Sequence, residues 1–218
     1  MYHYILFDLD GTLTDSQEGI TKSAAYAMEK LGFPVPDAAT LTKFVGPPLV
    51  YSFMEYGGMD RETAARAVDA FRERYHVTGM FENAAVPGCP ELLAGLKERG
   101  YVLALASSKL QMLCDQIVER FGYLPSLDLV AGSMDDGSEP KSAVIQRVLD
   151  RFGITEETKD QVLMVGDRKF DVEGAMECGI DCVGVEFCRY ADPGELAAAG
   201  AVAVVETVEE LERFILTH

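Results

Sequence analysis

Two aspartates separated by one leucine stand directly after an apolar run, in the stretch Ile5-Leu6-Phe7-Asp8-Leu9-Asp10-Gly11-Thr12. Alternate residues leaving a strand can share a face, so the two carboxylates can converge on one ligand. Gly11 lets the backbone turn and approach that ligand closely. A single aspartate here would most simply cap the next helix. Two acids flanking one apolar residue, straight after a buried strand, point to chemistry instead. A second acidic group follows another apolar run, in Val165-Gly166-Asp167-Arg168-Lys169-Phe170-Asp171. On its own Asp171 reads as a helix N-cap, worth about 1 kcal/mol. Taken together, Asp8, Asp10, Asp167 and Asp171 are expected to meet at one sheet edge. Like charges about 4 Å apart repel by roughly 4 kcal/mol at an effective dielectric of 20, so a cation should join them. An all-oxygen site beside phosphate suits Mg2+.

Two other strand ends supply the complement. Ser107-Ser108-Lys109 follow the apolar run 103–106 at an expected helix start, where N–H groups favour an anion. Glu139-Pro140-Lys141 lead, through a polar loop, into another helix start. In isolation Ser107 is a helix cap and Lys141 a solvated lysine. On the same edge as the acids, Gly11, Ser107, Ser108 and Lys141 form a phosphate cradle.

The elements that must position these groups are legible as alternating patterns. Six apolar, β-branched-rich runs, at 4–7, 102–106, 127–131, 162–165, 182–185 and 202–205, are nearly continuous in apolar character, as parallel strands covered on both faces are. Helical stripes lie between them. Leu110, Leu113, Cys114, Ile117, Val118 and Phe121 form one; Val144, Ile145, Val148, Leu149 and Phe152 form another, closed by Gly153. A third, over 91–99, ends at Gly100. Strand–helix alternation of this kind predicts a doubly wound α/β sheet of Rossmann type. One interval breaks the rhythm: from 15 to 83 only helical patterns occur, over 16–31, 41–53 and 60–77. The expected division is therefore an α/β core of residues 1–14 and 84–218, with a helical cap of residues 15–83 inserted after the first strand.

Composition narrows the function further. Nineteen basic against thirty-six acidic residues give a formal charge of −17, which disfavours nucleic acid polymers and anionic membranes as partners. No basic-then-apolar leader precedes the first strand, and no apolar run approaches the length of a membrane span, so a cytoplasmic enzyme is expected. The five cysteines (Cys89, Cys114, Cys178, Cys182, Cys188) read as reduced thiols, in or near the core. The spacing from Gly95 to Gly100 places Tyr101 where a Walker A loop needs Lys, and the three histidines (His3, His76, His218) do not suit a Ser-His-Asp triad.

The four motifs, in this order at strand ends, resemble those of the haloacid dehalogenase superfamily, specifically its phosphatases with a helical cap. The resemblance spans nearly the whole chain: Asp8 to Thr12, Ser107, Lys141, and Gly166 to Asp171. It implies that Asp8 is the nucleophile, forming an aspartyl-phosphate, and that Asp10 protonates the leaving alkoxide and then activates water. It implies that Asp8, the main-chain carbonyl of Asp10 and Asp167 hold Mg2+, with Asp171 close by or acting through water. Ser107 and Lys141 would bind the transferring phosphoryl. The second acid, Asp10, separates this chain from dehalogenases, whose halide needs no proton. The loop Lys43-Phe44-Val45-Gly46-Pro47-Pro48 is similar to a cap loop of phosphoglycolate phosphatases and bacterial 5′-nucleotidases, so Lys43 and Gly46 are expected to help select substrate. The expected substrate is a small phosphorylated metabolite, handled by a monomer or homodimer. A sugar phosphomutase using the same aspartyl-phosphate, and a non-catalytic member of the fold, are the alternatives.

Overall fold

The computed structural model describes residues 1–135 and 139–218; the polar loop before Glu139 lies partly outside the described residues. The chain forms two compact units, Met1–Thr14 with Ala85–His218, and Asp15–Ala84.

In the first unit the strands are β1 (Tyr4–Phe7), β4 (Val102–Leu110), β5 (Leu129–Ser133), β6 (Val162–Gly166), β7 (Asp181–Val185) and β8 (Ala203–Val205). They pair in the order β5-β4-β1-β6-β7-β8, and each pairing is parallel. β1 is central, with Tyr4 opposite Val102 on one side and Val162 on the other. The chain first builds outward from β1 to β4 and β5, then crosses back to β6. That reversal makes the carboxyl end of β1 the place where a ligand crevice forms. Helices α5 (Cys89–Glu98), α6 (Gln111–Arg120) and α10 (Val208–Thr217) cover one face, and α7 (Lys141–Phe152), α8 (Lys169–Glu177) and α9 (Glu195–Ala199) the other.

The two-residue period of a strand explains the continuous apolar runs. Ile5 and Phe7 pack in one core with Leu103, Leu105, Leu163 and Val165, against Leu93, Ile117 and Leu211. Leu6 packs in the opposite core with Ala104, Met164 and Cys182, against Val144, Val148 and Val172. Both neighbours of Asp8, Phe7 and Leu9, are thus fully buried. Helix α7 ends as its sequence requires, on Gly153 with φ of +67°. Cys89, Cys114, Cys178 and Cys182 are buried free thiols, and Cys188 is partly buried.

Several strand boundaries depart from the sequence pattern; β5 lies two residues later than expected, over Leu129–Ser133 instead of 127–131. β4 continues to Leu110, with its pairing register broken between Ala106 and Leu110. Ser107, Ser108 and Lys109 therefore sit on an irregular strand end, and α6 begins only at Gln111.

The second unit is helical: α1 (Gln17–Lys30), α2 (Ala38–Thr42), α3 (Leu49–Glu55) and α4 (Arg61–Tyr75). Asp37 and Asp60 cap α2 and α4 by accepting from the N–H groups of Thr40 and Thr63, both at 2.8 Å. The pattern over 41–53 resolves into two helices, because Pro47 and Pro48 disfavour helical backbone before them. Where the chain passes between units, β2 (Thr14–Asp15) pairs with β3 (Ala84–Ala85), a two-residue ladder too short to show as an apolar run. Among the described residues no helix is long and apolar enough to cross a membrane.

Candidate active site

The turn after β1 is organised around one carbonyl. The oxygen of Leu9 accepts from the N–H groups of Thr12, Leu13 and Thr14, at 3.3, 2.9 and 2.9 Å, and from the Thr14 hydroxyl at 3.3 Å. The Asp8 N–H continues the ladder onto Val165 O, at 2.9 Å. Asp8 and Asp10 are thereby held on a fixed backbone, and both are buried. Gly11 has φ of +82°, and a Cβ there would lie 2.0 Å from Asp167 Oδ2. Only glycine allows the first acidic motif to close on the second. At Gly166 a Cβ would lie 2.3 Å from Asp171 Cγ, so this glycine likewise makes room for an acid.

Lys141 is no solvated lysine. It is 7% exposed and opens α7, with its Nζ 2.6 Å from Asp8 Oδ1 and 2.6 Å from Asp171 Oδ1. Asp171 is not the N-cap of α8. Arg168 occupies that position, and Asp171, three residues on, accepts the Arg168 N–H with Oδ2 at 3.1 Å. One oxygen of Asp171 therefore finishes the helix, while the other faces Lys141.

Oxygens of Asp8, Asp167 and Asp171 lie within 4.8 Å of one another. Both carboxylate oxygens of Asp167 are buried and have no hydrogen-bond partner. Burial, then the charges of Asp171, Asp8 and Asp10, push its pKa well above the usual carboxylate range, with Arg168 opposing. Burial also raises Asp8, which Lys141 pulls back and Asp171 and Asp10 push up again, to about 6. Burial alone would lower Lys141, but the Asp171 and Asp8 carboxylates outweigh it and raise its pKa. A buried carboxylate with two orphaned oxygens costs several kcal/mol unless a cation reaches it. Three carboxylates and no sulfur or imidazole form a donor set for a hard ion, and the residues present fit Mg2+.

Asp10 stands apart from this trio. Its carboxylate is not among the converging oxygens; Oδ2 pairs with Lys109 Nζ at 2.8 Å, and Oδ1 is buried without a partner. Ser107 is 2% exposed and its hydroxyl accepts the Lys109 N–H at 3.4 Å. Ser108 is half-buried beside it. Lys43 and Gly46 lie in the helical unit, in the segment between α2 and α3, where Gly46 has φ of +97°.

Two features of the site escape pattern reading. The Lys109–Asp10 pair depends on the broken register of β4, which composition does not announce. Arg168 is 4% exposed and is gripped by Glu195, Nε to Oε1 at 2.9 Å and Nη2 to Oε2 at 3.3 Å. Glu195 Oε1 also accepts the Lys169 N–H at 2.9 Å. Glu195 lies outside every motif.

The fold is thus a six-stranded parallel sheet between helices, with four buried aspartates and two lysines gathered at or just past the carboxyl ends of its strands. The chain belongs to the haloacid dehalogenase-like hydrolases, whose family model matches residues 5–185. It is similar to a 5′-nucleotidase of Pseudomonas aeruginosa, 43% identical over 218 residues that cover 100% of this chain and 97% of that one. A plasmid phosphoglycolate phosphatase of Cupriavidus necator is 32% identical over 212 residues, covering 95% and 90%. The crystal structure of a predicted phosphatase from Clostridium acetobutylicum superposes with a TM-score of 0.93 at 42% identity, covering 100% of both chains. The enzyme class read from the four motifs, a phosphatase of this family, agrees with the names these relatives carry.

Proposed function

We propose that the protein is a Mg2+-dependent hydrolase of small phosphomonoesters working through an aspartyl-phosphate on Asp8. Nucleoside 5′-monophosphates are the first substrate class to consider and phosphoglycolate the second, following the names of the relatives at 43% and 32% identity. The observation that carries this reading is the meeting of Asp8, Asp167 and Asp171 around two orphaned oxygens, with Lys141 bridging two of the three.

Asp8, Asp167 and the Asp10 carbonyl would hold the ion, with Asp171 beside them or reaching it through water. When bound, Mg2+ offsets the charge of a carboxylate meeting a phosphate dianion. The Asp8 oxygen that Lys141 does not hold attacks phosphorus as the ester P–O bond breaks. Asp10 gives its proton to the departing oxygen, and the alcohol leaves. Asp10 then takes a proton from water, whose oxygen attacks the same phosphorus and frees Asp8 and inorganic phosphate. Lys141, Ser107, Ser108 and the N–H of Gly11 and its neighbours would hold the phosphoryl oxygens in both steps. Lys43 and Gly46 are proposed as selectors of the alcohol part of the substrate.

The test is phosphate release from a panel of phosphorylated metabolites with Mg2+, ranked by kcat/KM, with a chelator control. A preference among nucleoside monophosphates and phosphoglycolate that disappears with the chelator supports the reading. Failure to release phosphate from any ester, p-nitrophenyl phosphate included, overturns it.

A further inference from the structure

We propose that Lys109 is a positioning residue for Asp10, holding one carboxyl oxygen so that the other is aimed at the leaving group; this rests on the phosphatase reading above. Lys109 Nζ lies 2.8 Å from Asp10 Oδ2, and the two side chains are 8% and 11% exposed. Bulk water therefore does little to screen or replace the pair. Asp10 Oδ1 is buried with no hydrogen-bond partner, which leaves it as the oxygen available to a reacting group. The terminal torsion of an aspartate is broad, so an unanchored carboxyl would sample many orientations. Anchoring one oxygen selects among them.

The arrangement serves both proton transfers without rearrangement. When Oδ1 carries the proton, Oδ2 is a carbonyl oxygen and still accepts from the ammonium. When Oδ1 has passed its proton to the ester oxygen, the same contact holds the carboxylate for its return from water. Lys109 reaches this place because β4 loses its regular register after Ala106, with its N–H turned onto the Ser107 hydroxyl. Lys141 cannot substitute, since its Nζ is occupied by Asp8 and Asp171.

The experiment compares two kinds of leaving group. p-Nitrophenolate departs with little need of a proton, whereas the alkoxide of a nucleoside 5′-monophosphate needs one. Positioned acid–base groups contribute about 100-fold or more, so Lys109→Met should raise the aryl-to-alkyl ratio of kcat/KM by at least about tenfold, in the direction of Asp10→Asn. Lys109→Arg should restore most of the ratio. In the Asp10→Asn background, Lys109→Met should add no further change to it. Should the methionine variant fail to fold by circular dichroism, Lys109→Gln against Lys109→Arg reads the same ratio. Equal losses on both esters, or an additional ratio change without Asp10, would overturn the assignment while leaving the phosphatase reading intact. A wild-type protein that hydrolyses neither ester overturns both.

Discussion

Asp8 and Asp167 answer to opposite demands. For Asp8, nucleophilic attack needs a carboxylate oxygen, which asparagine lacks, while shape and burial are conserved. Asp8→Asn should lower kcat by at least about a thousandfold, as loss of a nucleophile does, with an unchanged circular dichroism spectrum. Residual activity within about tenfold of wild type removes Asp8 from that role. For Asp167, charge is a burden in the metal-free fold, since burial and three neighbouring acids oppose its ionised form. Asp167→Asn should therefore raise Tm in chelator by roughly 2–4 °C, the shift that 1 kcal/mol produces at this size, and should abolish stabilisation by Mg2+. A lower Tm in chelator would show that the orphaned charge costs the fold nothing. These acids were legible because each directly follows an apolar run. Lys141 was legible by place but not by environment, since nothing beside it in sequence shows that Asp8 and Asp171 surround it. Lys109 stood in a recognised stretch, yet its partner, nearly a hundred residues away, could be seen only in three dimensions.

At the level of elements, the six strands and the helix ends at Gly153 and Gly100 follow from pattern, because both faces of the inner strands are covered, the edge strand β8 alone exposing Val204, and glycine accepts the left-handed turn. What pattern missed was irregular: the prolongation of β4, the break between α2 and α3, and the attachment of α9 to α8. That attachment is Glu195, the first residue of α9, holding Arg168 and the Lys169 N–H at the start of α8. Burial would raise the Glu195 pKa, but the Arg168 guanidinium and two backbone N–H groups pull it below the usual range. The Arg168 and Glu195 side chains are 5% and 10% exposed, so truncation of Glu195 removes a carboxylate partner from a nearly buried guanidinium. Glu195→Ala should cost about 3 kcal/mol, measured by urea unfolding. A loss below about 0.5 kcal/mol, within the range of an exposed pair, would reduce this contact to a surface feature.

For the whole molecule, a metal held as proposed would couple stability to the ion and to pH together. Asp8 has a folded-state pKa raised to about 6 against an ordinary value of 3.8. Its contribution to metal-free stability is complete below the unfolded value and is lost as pH rises through 6. A cation reverses that preference by favouring the charged form. The Tm difference between Mg2+ and chelator should therefore widen from pH 5 to pH 7.5; a constant gap would separate the ion from these carboxylates. The charge of −17 was readable from composition; under the proposed function an anionic substrate would be met by Lys141 and a metal instead of by the general surface. The central position of β1 has a further consequence, for the order in which a ribosome delivers the parts. The strand that carries Asp8 is synthesised first, but its two partners, at Val102 and Val162, arrive about one hundred and then sixty residues later. Its hydrogen bonds must wait on contacts of high sequence separation, which form slowly. Lys141, Asp167 and Asp171, which surround Asp8 in the fold, are thus withheld until most of the polypeptide has emerged, so a nascent chain carries Asp8 long before its site can close.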